Sequence, residues 1–183
     1  KAAENEIIRR YYSSVCDETR GIGTEKEVEI LKKLMNNVGI SPQDRDIVKY
    51  ALEAAEVKNT NVVAIKLDNG KVITGKESEL LSASSALLIN TIKELAGIPD
   101  DVFLLSPAVL ESIFKIKQKT SYKSKYCLNL PEVLIAFSIC ASTNPIIEKT
   151  LNSLDKLRGL EAHSSYMIST TEVKVLKSLG INL

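Results

Sequence analysis

The sequence predicts an α/β protein, a three-layer α/β/α domain preceded by a helical subdomain. Three observations carry that prediction. A β-branched run from Val62 to Leu67 meets Asp68-Asn69-Gly70 and returns through Lys71 to Thr74, the pattern of a hairpin. A small-residue-rich stretch follows, through Ser82, Ala83, Ser84, Ser85 and Ala86, and reads as a helix stopped by Gly97 with Pro99 beyond. After it, short apolar runs alternate with capped helices, the order of an α/β layer. The boundaries expected are a helical subdomain over 1–59 and an α/β domain over 60–183, with a helical insertion at about 106–157.

In the first part, Ile7, Ile8, Tyr11, Tyr12 and Val15 recur at helical spacing until Gly21 and Gly23 intervene. Thr24 with Glu27 three residues on is a capping box, and Gly39 stands where the next helix should end. Ser41-Pro42 opens a third helix that turns Ile47, Val48, Ala51, Leu52 and Ala55 inward. In the second part, Ser78 is expected to cap the helix running to about Ala96. Val102 to Leu105 has strand length, and Ser106-Pro107 begins a helix to about Lys117. Lys119 to Leu128 is a polar loop without periodicity. Leu130 to Ala141 is almost wholly apolar and is expected to be buried. Asn144-Pro145 starts a further helix, Glu161 to Ser169 alternates like a strand, and Thr170 or Thr171 caps a helix to Leu179. Gly180 then releases a short terminal strand.

Composition narrows the function classes. The 183 residues carry 24 basic and 23 acidic side chains, a formal charge of +1, which gives no basic excess for nucleic acid. No apolar run reaches the roughly 18–20 residues of a membrane span. The start of the chain lacks a signal-peptide pattern, and Cys16, Cys127 and Cys140 are too irregular for a disulfide framework or a zinc knuckle. These features point to the cytoplasm, with neither nucleic acid nor membrane as partner. Both ends look cut, so a larger functional unit with a further N-terminal region is expected.

Several motifs invite chemistry. Gly70 to Glu77 approaches the phosphate-binding pattern GxxxxGK[ST]. However, Gly70 belongs to a turn, the intervening residues form a strand, and Glu77 replaces the hydroxyl with a repelling charge. Thr74, Gly75, Lys76 and Ser78 are the better candidates, because they lie where a strand gives way to a helix start with free N–H groups. Thr143 and Asn144 mark another capped helix start. His163, the single histidine, lies in Glu161-Ala-His-Ser-Ser165, where it could transfer protons beside Ser164. One histidine without nearby cysteines makes no zinc site, and the HxE and PCxxC signature of zinc deaminases is absent. The nucleophile elbow GxSxG and the dinucleotide fingerprint GxGxxG are absent as well.

The order hairpin, helix, strand, helix, strand, helix, strand resembles the cytidine-deaminase-like topology, with a helical pair added before the last βαβ unit. The phrases EIIRRYYSSVCDE, VITGKESELLSASSALLINTIKELAGI, ICASTNP, LRGLEAHSSYMIS and LKSLGINL resemble the C-terminal part of a family of long bacterial proteins of unknown function. The resemblance spans essentially the whole chain. It implies a fold and a missing N-terminal region, and it implies no activity, cofactor or catalytic set. Leu160 stands where the resemblance would place a cysteine.

The expectation is therefore a domain that binds a small anionic, nucleotide-like ligand at the hairpin–helix junction without zinc. Lys76 would supply charge, Thr74, Gly75, Ser78, Thr143, Asn144 and Ser164 polar contacts, and His163 a proton. The alternative is a structural, oligomerisation or regulatory module, with the chain a homo-oligomer. Whether it is an enzyme is left open by these residues.

Overall fold

A computed structural model describes residues 1–120 and 127–183, which form two compact units, Lys1–Tyr50 and Ala51–Leu183. In the first unit, α1 (Ala2–Thr19) and α2 (Glu25–Val38) pack against each other. The Thr24–Glu27 capping box forms as expected, and Gly39 takes the left-handed conformation at φ 75° that ends α2. Ser41-Pro42 opens only a short 3₁₀ turn, Pro42–Asp44. The third helix, α3 (Asp46–Lys58), starts afterwards and runs on into the second unit.

The second unit is built on a three-stranded sheet. Strands β1 (Val62–Lys66) and β2 (Val72–Lys76) form the expected hairpin, with Gly70 at φ 85° in its turn. Strand β3 (Glu161–Ser164) joins the other side of β1, giving the order β2-β1-β3 with both pairings antiparallel. The rest is helical: α4 (Ala83–Ala96), α5 (Pro107–Thr120), α6 (Leu130–Ala141), α7 (Pro145–Leu151) and α8 (Thr170–Ser178), with a 3₁₀ turn at Asn152–Leu157. The chain is thus mixed α/β.

Helix α4 runs back along the hairpin. Asn90 Nδ2 donates to the Thr74 carbonyl at 2.9 Å, and Lys71 reaches Glu94 at 2.7 Å. The closest approach is at Gly75, where a Cβ would strike the Leu87 nitrogen and the Ala83 carbonyl oxygen. Val63, Ile65 and Ala162 from the sheet join Leu87, Leu88 and Ile92 of α4 and Val133, Ala136 and Phe137 of α6 in one buried cluster. Leu160 is buried in that cluster, which makes it a packing position.

Further expectations need correction. Val102 to Leu105 forms no strand; Leu104 and Leu105 are buried by packing alone, without a ladder. The terminal strand shrinks to a single parallel bridge between Glu161 and Asn182, and β3 stops at Ser164 rather than Ser169. The cap of α4 is Ser82, not Ser78. Finally, α6 is buried on one side only: Ile135 is 61% exposed and Ile139 48%. The polar loop expected over Lys119 to Leu128 lies mostly, at 121–126, outside the described residues.

Candidate functional site

Strand register decides which expected residues meet. Ala64 pairs with Thr74 on one side and His163 on the other, so all three lie in one row on one face of the sheet. Lys76, two residues beyond Thr74, shares that face. Val63 pairs with Gly75 and Ser164, so these two belong to the opposite face, the one α4 covers. Gly75 therefore has no room for a ligand. Ser164 closes its own turn, donating through Oγ to the Tyr166 carbonyl at 2.7 Å and accepting from Tyr166 N–H at 3.2 Å.

Within the row, the residues differ in access. Lys76 is exposed, while His163 is only 7% exposed between its strand neighbours. A residue not foreseen joins them: Lys58, at the end of α3, donates through Nζ to Thr74 Oγ1 at 3.1 Å. The remaining candidates are elsewhere. Ser78 Oγ accepts from Leu81 N–H at 3.1 Å in a local turn before the helix. Thr143 Oγ1 donates to the Cys140 carbonyl, and Asn144 Oδ1 caps α7 by accepting from Ile146 N–H at 3.0 Å. Ile146 lines an open groove of about 360 Å³ with Leu95, Ile98, Lys149 and Lys156. That groove lies at the C-terminal end of α4, roughly 20 Å from its start for a helix of this length. Of the eight expected residues, Thr74, Lys76 and His163 share one face of the sheet, and the other five lie in turns, caps or the face that α4 covers.

The start of α4, where an anion was expected, already holds one from the chain itself. Glu172 is 6% exposed, and its Oε1 accepts from Ser82 Oγ at 2.6 Å and from the Leu130 N–H at 3.2 Å. Its Oε2 accepts from Ser169 Oγ at 3.2 Å. One carboxylate thus joins the first turns of α4, α6 and α8, the positive ends of three helices. Backbone pairing brings them together: Ser82 N–H donates to the Leu128 carbonyl at 2.9 Å, and Leu128 N–H to the Leu80 carbonyl at 2.8 Å. Ser85 Oγ also donates to the Leu128 carbonyl, at 3.0 Å. Beside this cluster, burial first and the Glu172 charge second push the Tyr166 phenol up to about 12. The neighbouring Ser84, fully buried, opposes that rise.

Sequence reasoning missed Glu172 because its partners are 42 and 90 residues away. A local signal was available, since Ser169 and Glu172 stand three apart, as a cap and its acidic partner do. A second missed signal is Asn129 with Glu132, a complete capping box that fixes the start of α6. Among the described residues, no group of three or more His, Cys, Asp and Glu could hold a metal ion. Among them too, no helix is long and apolar enough to cross a membrane.

Comparison with known proteins places the chain in a family. It is 37% identical over 199 residues to a UPF0371 protein of Fusobacterium nucleatum. It is 38% identical over 191 residues to UPF0371 proteins of Clostridium botulinum and Clostridium tetani. Each alignment takes in 100% of this chain but only 38% of the relative, so the chain spans well under half the length of these proteins. Their names assign no function. Residues 43–183 match the C-terminal domain described as DUF1846, a domain of unknown function, and the chain belongs to that family.

Proposed function

We propose that this domain is an assembly module within a longer protein, presenting α6 as a docking face for an uncharged, apolar helical surface. One observation carries the reading. Ile135, Ser138, Ile139 and Ser142 are all exposed and lie at i, i+3, i+4 and i+7, a continuous stripe along one side of the helix. The only charge on α6, Glu132, stands three residues before Ile135 at the N-terminal end of the same side, where it pairs with Lys117 at 2.6 Å and closes the capping box. Scattered surface isoleucines are ordinary, whereas contiguous apolar surface marks contact sites, and here two isoleucines lie one turn apart with no charge between them. Full burial of an isoleucine side chain is worth about 1.5–3 kcal/mol, and these two, 61% and 48% exposed, would each supply a part of that. The test compares wild type with Ile139→Lys, in this chain and in the longer polypeptides where such domains occur. The substitution is expected to lower the assembled mass by light scattering or the unfolding temperature of the longer protein. No change in either would sink the reading.

A second reading has its own observation. Lys58, Thr74 and Lys76 place two ammonium groups and a hydroxyl on one edge of the sheet, a surface suited to a small anion. His163 shares the face but is buried, so a role for it in proton transfer requires opening of the row. Thermal-shift titration with phosphate and nucleotides is expected to show stabilisation that Lys76→Ala removes; absence of any shift would discard this reading. We also propose a deaminase-like layering for the second unit, supported by α4 packed along the hairpin, and a cytoplasmic location, supported by three cysteines that form no disulfide.

A further inference from the structure

Helix α7 does not end the helical path at Leu151. The 3₁₀ turn Asn152–Leu157 follows it directly, so one ridge runs from Pro145 to Leu157. Ile147, Thr150, Ser153 and Leu157 are buried and anchor that ridge. Ile146, Lys149, Ser153 and Lys156 recur at i, i+3, i+7 and i+10, the spacing of one side of a helix. These four border the groove of about 360 Å³, which Leu95 at the end of α4 and Ile98 in the turn beyond it complete.

The groove has the volume of a small-ligand site, at the low end of the roughly 300–1,000 Å³ such sites span. Its lining divides into two chemistries. Leu95, Ile98 and Ile146 give an aliphatic surface with no aromatic ring, and Lys149 and Lys156 bring two ammonium groups. No Asp or Glu stands among the described residues that line it. Lys156 Nζ donates to the Leu95 carbonyl at 3.2 Å, which holds it at the end of α4 and uses one of its three donors. Lys149 makes no ion pair among the described residues. Ser153 adds an independent sign: it is only 4% exposed, and its hydroxyl has no hydrogen-bond partner among the described residues. A buried hydroxyl is ordinarily bonded, so one left unmatched beside a groove marks a place for an acceptor. The Thr150 hydroxyl, by contrast, is spent on the Ile147 carbonyl at 2.6 Å.

We propose that this groove binds a small aliphatic carboxylate. Its charged end lies against Lys149, Lys156 and Ser153, and its alkyl chain lies on Leu95, Ile98 and Ile146. Two cations without a counter-charge select the sign of the ligand. The apolar wall selects its body, because a purely polar anion would leave that surface in water. Lysines act as point charges and not as planar forks, which suits a carboxylate approaching on a flexible chain. This site uses neither the α6 stripe nor the sheet edge, and it stands or falls without them.

Octanoate is the probe, followed by amide NMR of this chain, with octanol and acetate as its uncharged and chainless halves. Octanoate is expected to give saturable shifts centred on Ile98, Ser153 and Lys156. Octanol and acetate should each bind about tenfold or more weakly. Lys149 and Lys156 are exposed, so Lys149→Gln/Lys156→Gln should keep the unfolding temperature while raising the octanoate dissociation constant about tenfold or more. Ser153→Ala removes only the unmatched hydroxyl and should weaken octanoate in a chain that folds as before. Lys174→Gln, at an exposed position of α8, should leave binding unchanged. No saturable octanoate binding, or shifts centred elsewhere, would overturn the proposal. Octanol or acetate binding as tightly as octanoate would overturn it too, as would full affinity in the folded double lysine variant.

Discussion

The start of α4 and the outer face of α6 are mirror images of what their residues suggest. The start of α4 gathers serines, helix N-termini and a neighbouring lysine, the chemistry of a site awaiting an anion. It is closed, because Glu172 enters from α8 and takes the donors of Ser82, Leu130 and Ser169. The face of α6 is apolar enough to belong in a core, yet Ile135 and Ile139 remain at the surface. The contrast teaches that polar donors are satisfied by whichever group reaches them, and a distant carboxylate does so as well as a ligand. Apolar surface, by comparison, stays exposed when the local core has no room left for it.

The comparison can be broken at several points, beginning with the largest effect. Gly75→Ala would drive a Cβ into the backbone of α4 at Leu87 and Ala83, where no side chain can move aside. A loss of about 3 kcal/mol or more is expected, at the upper end for overpacking, measured by urea unfolding. The hairpin and α4 would part, opening the start of the helix.

Glu172→Ala removes the carboxylate that the three helix starts share, and leaves buried donors without an acceptor. A loss of about 3 kcal/mol is expected, and Glu172→Gln, which keeps one acceptor oxygen, should lose less. If Glu172→Ala were neutral, the closed character of this region would be wrong. Phosphate or sulfate partly restoring the melting temperature of Glu172→Ala would show how well the carboxylate stands in for a free anion.

Tyr166 sharpens the same point through pH. Its folded value of about 12 stands above the ordinary 10, so the unfolded chain loses this proton first as pH rises. The stability tied to the neutral phenol is therefore whole below about pH 10 and declines as pH climbs toward 12. Absorbance titration of phenolate is expected to show a late-ionising tyrosine that disappears in Tyr166→Phe. The substitution should also flatten the alkaline decline in stability.

The smallest effect on folding belongs to α6. Ile139→Lys alters an exposed position, so the isolated chain should keep its unfolding free energy within about 0.5 kcal/mol. Its consequence should fall on association instead. Val57→Lys, at another exposed apolar position, should change neither property.

What was legible in the sequence was local. The Asp68-Asn69-Gly70 turn, the Thr24–Glu27 box, Gly39, Gly97 and the Asn144-Pro145 start all act through neighbours within a few residues, and all appear where expected. Ser78 misled because it, like Ser82, precedes a helical run; the choice of cap depended on the pairing of Leu81 with Leu128, far along the chain. Val102 to Leu105 misled because an apolar run records burial, and burial here comes from side-chain packing with no strand beside it. Of the candidate site, Thr74, Lys76 and His163 shared a face, since the hairpin fixed the register of the first two. Lys58 and the distant partners of Glu172, Ser82 and Leu130, were hidden, each brought in by tertiary packing that no spacing in the sequence encodes.

The most direct test of the contrast is sedimentation velocity of this chain and of the longer polypeptide that contains it, wild type beside Ile139→Lys. The wild type is expected to sediment as a larger or more compactly assembled species than the variant in at least one of the two. Identical coefficients for wild type and variant in both would contradict the open α6 face as a docking surface.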